Sequence, residues 1–281
     1  MIDLTKLIEQ ANELAPLPAS TVRLAGLIGN PDCHLDEVTE LIVFDQALTL
    51  KLLRAANSAA IASPDRVSNV REAVTLLGTA QVFALAVAAG AKPLLQTRIP
   101  EYGLNEGALW RHSVAAAVAV ETMQAVGSVV PPPETFTAAL LHDVGKLVMG
   151  RFLSPEILVL IRRAQEEDHL GQLDAETLLL NVHHGELGGL IAQHWKLSPR
   201  VVQGIIYHHN PEQGQDVVCD LTYLANQLAK RIEAGLDGRT FDLNISFEVA
   251  ERLALTPKML DELCPIAASR YVQVRQRYNA V

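Results

Sequence analysis

The chain has 281 residues, of which 49% are hydrophobic and 20% charged, a balance typical of a globular protein long enough to bury its own core. Its 23 basic and 32 acidic residues give a net charge of −9, which opposes the binding of DNA or RNA. The three cysteines, Cys33, Cys219 and Cys264, form no CxxC pair, so we expect a reducing compartment rather than a disulfide framework.

The sequence contains no segment with the pattern of a membrane span or an export signal. The longest nearly uncharged apolar stretch, residues 82–91, is about half the length of a membrane span. The N-terminus carries Asp3 and Glu9 and has no basic region followed by an apolar one. We therefore expect a cytoplasmic protein with no membrane partner.

Apolar residues recur with a helical period along almost the whole chain. In the N-terminal part, Asn69 stands three residues before Glu72, the spacing of a capping box, and Gly78 is suited to end that helix. The periodicity predicts N-terminal helices at 4–11, 22–28, 35–42, 45–56, 69–77 and 79–91.

Residues 92–105 contain Pro93, Pro100 and Gly103 and are the predicted boundary between an N-terminal helical subdomain, 1–105, and a second subdomain, 106–281. No alternating pattern of strands is convincing, so the predicted fold class is all-α. The helices predicted after the boundary are 109–126, 134–152, 155–168, 175–195, 199–209, 217–234, 247–253 and 257–271.

An adjacent His142-Asp143 pair stands in the apolar string LLHDVGKL. It offers an imidazole nitrogen and a carboxylate oxygen to one divalent cation or to two neighbouring ones, a mixed ligation that Zn²⁺, Mn²⁺ and iron accept. Lys146 follows four residues after His142, so on a helix all three side chains can reach one site. A lysine there can hold a phosphate oxygen as a point charge.

Further histidines flank this string at a distance: His112 upstream, then His183-His184 and His208-His209 downstream. They can converge only if several helices pack around one cavity, as in the metal sites of helix bundles. Any one histidine on an apolar helix is more often a hydrogen-bonded core residue than a ligand. The ordered set of histidines around His142-Asp143 is much less expected by chance.

The order of these histidines resembles the HD superfamily of metal-dependent phosphohydrolases. Over roughly residues 12–235 the chain resembles the HDOD domain, the HD-related output domain of bacterial signalling. The strings that carry this second resemblance are LAPLPA at 14–19, DQALTLKLLRAANS at 45–58 and VSNVREAVTLLG at 67–78.

The resemblance implies an all-helical fold in which an N-terminal helical part packs on an HD-like half. It implies a regulatory role, often without demonstrable catalysis, and a divalent metal such as Zn, Mn, Fe or Ni where the ligands are kept. Carried over by position, the metal-ligand candidates are His112, His142, Asp143, His184, His208 and His209. Lys146 resembles the lysine of the HD-GYP branch and is the candidate phosphate contact.

Two positions depart from the HD pattern. A late aspartate of that pattern is replaced by Asn226, whose neutral carbonyl oxygen is a poorer ligand. Asp220 lies six residues earlier on a different helical phase, which makes a simple exchange of roles doubtful. The sequence NPEQGQ at 210–215 stands where the cyclic-di-GMP phosphodiesterase branch has a Gly-Tyr-Pro loop, so hydrolysis of that nucleotide is unsupported.

Several hypotheses on function follow. The first is a non-catalytic bacterial signalling module that binds a protein partner or a small ligand, with a homodimer left open. The alternative is a metal-dependent phosphohydrolase acting on a nucleotide or another phosphate ester; a module that binds metal without turnover lies between the two. A helix-turn-helix reading of 72–90 is disfavoured, because its second helix has no basic residue in 81–88 to reach DNA.

Overall fold

The computed structural model describes residues 9, 13–14, 16–28, 34–57, 67–126, 129–166 and 170–279. This part of the chain contains helices, one 3₁₀ turn (Pro100–Tyr102) and an isolated antiparallel bridge between Ile99 and Leu104, but no strand. The predicted all-α class is thus confirmed. The helix predicted at 4–11 falls almost entirely outside the described residues.

The chain divides into two compact units. The N-terminal unit comprises Ala15–Pro93 together with His194–Ser198, and the C-terminal unit includes Leu94–Gln193 and Pro199–Val281. The sequence places a subdomain boundary after residue 105 instead, and the limits 1–105 and 106–281 stay a prediction.

The N-terminal unit is built from helices whose ends follow local signals in the sequence. The Asp45 side chain accepts a hydrogen bond from Leu48 N at 3.0 Å, and Asn69 accepts one from Glu72 N at 2.9 Å. Gly78 ends a helix with a φ of 76°, which favours glycine. The helices are α1 (Ala19–Ile28), α2 (Leu35–Val43), α3 (Gln46–Ala56), α4 (Val70–Leu77) and α5 (Thr79–Leu95).

The C-terminal unit contains eleven further described helices. They are α6 (Ala108–Met123), α7 (Pro133–Leu141), α8 (Lys146–Phe152), α9 (Pro155–Glu166), α10 (Gln172–Leu180), α11 (His184–His194), α12 (Pro199–Ile206), α13 (Pro211–Gly214), α14 (Val217–Leu236), α15 (Phe247–Arg252) and α16 (Pro257–Asn279).

The core of the C-terminal unit is centred on α6 and α14, which pack against each other. Their contact is lined by buried alanines, among them Ala115, Ala119, Ala225 and Ala229. Small side chains let two helix backbones approach closely, so groups on one helix can reach the other with short side chains. Helix α16 adds Leu263, Ala267 and Tyr271 to the same core.

Two helices predicted as continuous are interrupted, and a third is shorter than predicted. The segment 134–152 breaks at 142–145, where Val144 N and Lys146 N bond to carbonyls only three residues back, in a tightened turn. The segment 175–195 breaks after Leu180, because Asn181 adopts a φ of 56°. The segment 199–209 ends at Ile206. The prediction that one helix carries His142, Asp143 and Lys146 is therefore wrong. His142 and Asp143 lie on a turn, and Lys146 is the first residue of the next helix.

No single helix in the described ranges has both the length and the apolar composition that a membrane span requires. Helices α4 and α5 meet those criteria only when taken together, and they are bent by 107° at their junction.

Gly145 is required by close packing between the turn that carries Asp143 and helix α11. A Cβ atom at Gly145 would overlap the His184 carbonyl and lie 2.7 Å from Gly188 N. We therefore expect Gly145→Ala to lower the free energy of unfolding by about 3 kcal/mol, as overpacking does. Urea denaturation measures the loss.

Gly235→Ala is the matched control, because nothing lies within 4 Å of a Cβ atom at that position in α14. It should change stability by less than about 1 kcal/mol, in the stabilising direction, through helix propensity. Equal effects of the two substitutions would contradict the packing argument.

Candidate metal centre

All six residues predicted as metal ligands come together in the C-terminal unit around the carboxylate of Asp143. They are supplied by separate segments of the chain. His112 lies on α6, His142 and Asp143 on the turn between α7 and α8, His184 at the start of α11, and His208 and His209 on the turn after α12.

The two oxygens of Asp143 face different histidines. Oδ2 lies 3.4 Å from His142 Nε2 and 3.8 Å from His112 Nε2. Oδ1 lies 3.3 Å from His184 Nε2 and 3.7 Å from His208 Nε2. The ligand atoms therefore form two groups that share Asp143, one of His112, His142 and Asp143, the other of Asp143, His184, His208 and His209.

Backbone carbonyls fix the tautomers of the two most buried imidazoles. His142 Nδ1 donates to Ala139 O at 2.7 Å, and His208 Nδ1 donates to Ile205 O at 2.6 Å. Because a carbonyl can only accept, the Nε2 atom of each neutral ring carries a lone pair that faces Asp143. Burial lowers the pKa of His142 to about 3, and burial and then His209 lower the pKa of His208 well below its usual value. Both rings are therefore neutral near pH 7.

His184 is held by a buried carboxylate that the sequence analysis missed. Glu176 Oε2 accepts from His184 Nδ1 at 2.7 Å and from His184 N at 2.9 Å, while Oε1 accepts from Tyr102 OH at 2.9 Å. Burial is the largest single influence on the pKa of His184 and acts to lower it, but the charge and hydrogen bond of Glu176 together with the neighbouring Asp143 raise that pKa overall. His209 lies next to His184, with 3.2 Å between the Nε2 atoms of the two rings.

His112 is held in a similar way from α14. Its Nδ1 lies 2.9 Å from Glu233 Oε2, and its Nε2 lies 3.1 Å from Asn226 Oδ1. Asn226 thus stands at the centre, as its position in the HD pattern implies. Asp220, the nearest acid in sequence, is engaged elsewhere, since its carboxylate pairs with Arg252 at 2.6 Å.

Lys146 neutralises the central carboxylate. Its Nζ lies 2.6 Å from Asp143 Oδ2. Burial is the largest single influence and would raise the pKa of Asp143, but the ammonium of Lys146 together with His142 and His184 holds that pKa well below its ordinary range. Asp143 is therefore ionised near pH 7.

The residues present fit a divalent metal ion. His142 Nε2, His208 Nε2 and Asp143 Oδ1 are buried and have no hydrogen-bond partner in the described part of the chain, although His184 Nε2 lies near Oδ1. Buried polar atoms without partners are costly and uncommon. Lone pairs of neutral imidazoles together with a carboxylate oxygen are the ligands that Zn²⁺, Mn²⁺, iron and Ni²⁺ accept.

A cavity of about 730 Å³ opens next to this centre. His112, Asp143 and Lys146 line one side, and side chains of α14 and α16 line another. The volume falls within the range of small-molecule sites. A ligand in the cavity would directly touch two of the candidate metal ligands, His112 and Asp143, and their neighbour Lys146.

Glu176, Glu233 and Tyr102 were not found by sequence reasoning. Glu176 and Glu233 lie 8 and 121 residues from the histidines that they orient, and neither stands in a motif. The only local signal was a carboxylate on the apolar helix segment AETLLL, where an unpaired acid is unfavourable.

Sequence comparisons identify relatives of the chain. The family model described as "HDOD domain" matches residues 14–211. A protein of Treponema pallidum (strain Nichols) described as uncharacterized is 27% identical over 237 residues, which cover 83% of this chain and 44% of that protein. This chain thus spans less than half the length of that curated relative.

Two solved structures are similar to the chain over nearly all of its length. The "putative phosphohydrolase" of Shewanella amazonensis SB2B is 25% identical, with 94% of this chain and 97% of that chain covered and a TM-score of 0.61. The "putative signal transduction protein" of Marinobacter aquaeolei VT8 is 22% identical, with 98% and 64% covered and a TM-score of 0.71. The second similarity concerns the fold alone.

We expect Glu176→Gln to weaken binding of a divalent metal ion about 10- to 100-fold, the usual effect of removing a partner that orients a ligand histidine. The amide keeps the shape of the side chain but removes the charge that holds His184 Nδ1–H. Titration calorimetry with Zn²⁺ or Mn²⁺ measures the change.

Glu262→Gln makes the same chemical change on an exposed part of α16 and should leave metal affinity as it is. Unchanged affinity in Glu176→Gln would show that the carboxylate does not orient the centre.

Proposed function

The chain belongs to the HDOD family, and from that premise we propose that it is a bacterial signal-transduction module that acts by binding rather than by turnover. In this proposal it retains a divalent metal ion at the centre around Asp143 and responds to a protein partner or a small ligand. The observation that carries the metal is the pair of buried imidazole nitrogens, on His142 and His208, without any partner in the described residues.

The proposed ligands are His112, His142, Asp143, His184, His208 and His209. When bound there, a divalent ion would act as a Lewis acid and lower the pKa of a coordinated water. The residues of the chain orient the ligands, chiefly through Glu176 at His184 and Glu233 at His112. Zn, Mn, Fe and Ni all suit this mixture of nitrogen and oxygen atoms.

Two features support binding without turnover. Asn226 brings a neutral oxygen to the centre where the HD pattern has a carboxylate, so one negative charge that would offset a dication is missing. Residues 211–214 form the short helix α13, and the segment has no Gly-Tyr-Pro sequence. Both features remove elements associated with hydrolysis in the families that this chain resembles.

Elemental analysis of the protein purified without a histidine tag tests the metal. We expect a stoichiometric divalent metal in the wild-type protein and its loss in a His142→Ala/Asp143→Ala variant, which lacks the shared carboxylate and a buried imidazole. His194→Ala, which removes an exposed histidine, should retain the metal. Metal-free wild-type protein, even after incubation with added ions, would refute the proposed centre.

A second candidate function is a metal-dependent phosphohydrolase. It is favoured by the cavity beside the centre, whose wall includes Lys146 and Lys230, two cations able to hold phosphoryl oxygens. The Shewanella amazonensis protein described as a "putative phosphohydrolase" supports the same class.

A screen of phosphomonoesters, phosphodiesters and nucleotides with the metal-loaded protein separates the two functions. If binding alone is the function, the wild-type protein releases no phosphate above a His142→Ala/Asp143→Ala background. In that case Asn226→Asp, which restores the missing carboxylate, is the variant expected to gain turnover. Phosphate release by the wild-type protein that the double variant abolishes would establish the hydrolase instead.

A further inference from the structure

The two groups of candidate ligands that share Asp143 differ in how many of their ligand atoms are free to bind a metal ion. The first group consists of His112, His142 and Asp143, and the second of Asp143, His184, His208 and His209. The first group uses Asp143 Oδ2 and the second uses Oδ1. Since an ion binds only to an atom with an available lone pair, the partners of each atom indicate which group can take it.

In the first group, Asn226 occupies the ligand nitrogen of His112. Glu233 Oε2 lies 2.9 Å from His112 Nδ1, and Asn226 Oδ1 lies 3.1 Å from His112 Nε2. If the amide oxygen faces the ring, a hydrogen bond requires a proton on Nε2; if the amide NH₂ group faces it, the Nε2 lone pair accepts that hydrogen bond. In both arrangements His112 Nε2 has no free lone pair.

Lys146 occupies the carboxylate oxygen of the first group. Its Nζ lies 2.6 Å from Asp143 Oδ2, the oxygen that faces His112 and His142. A dication on this oxygen would have to displace the ammonium or stand next to it, and like charges at such a distance repel each other. His142 Nε2 is thus the only ligand atom of the first group without a partner in the described residues. A single imidazole is too few, since zinc sites use three or four protein ligands.

The second group keeps its ligand atoms free. Asp143 Oδ1 and His208 Nε2 are buried and have no hydrogen-bond partner in the part of the chain that the structure describes. The Nδ1 atom of His184 is taken by Glu176, which leaves Nε2 as its ligand atom, 3.2 Å from His209 Nε2. One carboxylate oxygen and three imidazole nitrogens, all within 4.8 Å of one another, match the number and type of ligands in a four-coordinate zinc site.

The second group is also enclosed by protein. The wall of the 730 Å³ cavity, drawn from the described residues, includes His112 and Asp143 but not the three histidines of the second group. His184 and His208 are fully buried. Structural zinc sites have four protein ligands and no open position, whereas catalytic sites keep one position for water. The second group has the composition and the enclosure of a structural site.

We propose that the chain binds one divalent ion, held by the second group alone, in a closed site with a structural role. Asn226 and Lys146 keep the first group free of metal. The ion joins the turn after α7, the start of α11 and the turn after α12. Activation of a coordinated water would require an ion on the first group instead. This inference rests on the proposed function, whose six candidate ligands it narrows to four.

A count of metal ions per chain tests the proposal. The protein, purified without a histidine tag, is stripped with EDTA, loaded with excess Zn²⁺, freed of unbound ions by gel filtration and submitted to elemental analysis. We expect one Zn²⁺ per wild-type chain and the loss of that ion in His208→Ala. The matched change His112→Ala also removes one imidazole that faces Asp143, but from the first group, and should keep the ion.

The spectrum of the Co²⁺-loaded wild-type protein provides a second measurement that needs no substitution. We expect the intense visible absorption of a four-coordinate ion, because four side chains enclose it. The weak absorption of a six-coordinate ion would contradict a closed site. Thermal unfolding verifies that each variant is folded, and the Co²⁺ spectrum together with the wild-type count decides the case if His208→Ala is not.

Two ions per wild-type chain would overturn the proposal, as would an ion that is lost in His112→Ala and kept in His208→Ala. Either result leaves the proposed function standing, because the chain then still binds metal. Wild-type protein that takes up no Zn²⁺ would refute the proposed metal centre together with this inference, so the two failures are distinguishable.

Discussion

A carboxylate enclosed by protein must have its charge and its lone pairs met from within, and Asp143 is 2% exposed. An ion moved out of water in this way costs on the order of several kcal/mol unless it is compensated. Lys146 supplies a positive charge to one oxygen, while the other oxygen faces His184 and His208 without accepting a hydrogen bond. The buried imidazoles of His142 and His208 offer lone pairs rather than protons. Negative charge and electron pairs thus converge on a small volume, which is the electrostatic reason for expecting a cation there.

A second layer of acids makes this arrangement specific. Glu176 and Glu233 each take the Nδ1 side of one histidine, and backbone carbonyls take the Nδ1 side of two others. Every one of these four rings therefore turns its Nε2 atom inward. The orientation comes from partners on α10, α14 and two helix ends, so the ligand geometry depends on the packing of the whole C-terminal unit and not on the His-Asp string alone.

The identity of the central residues could be predicted from the sequence, because the order of the histidines along the chain can be recognised without knowing where the helices begin and end. The breaks in the helices could not. The sequence does not show the tightened turn at 142–145 or the left-handed conformation of Asn181, at which the helices stop. These interruptions place His142 and His184 at helix ends. The roles of Glu176 and Glu233 were not predicted, because neither carboxylate stands in a motif that would pair it with its histidine.

Three side chains with different roles at the candidate centre lie on the single helix α14, so they move together when the helix moves. Asn226 reaches the metal centre, Lys230 faces the cavity and Glu233 orients His112, all from one rigid stretch of backbone. Ala225 and Ala229 are buried in the core that α14 shares with α6. A bulkier side chain at either position would shift α14 as a rigid body and displace all three groups at once. Changes at these two positions should therefore show strong non-additivity with changes at the centre, even though alanine itself contacts neither metal nor ligand.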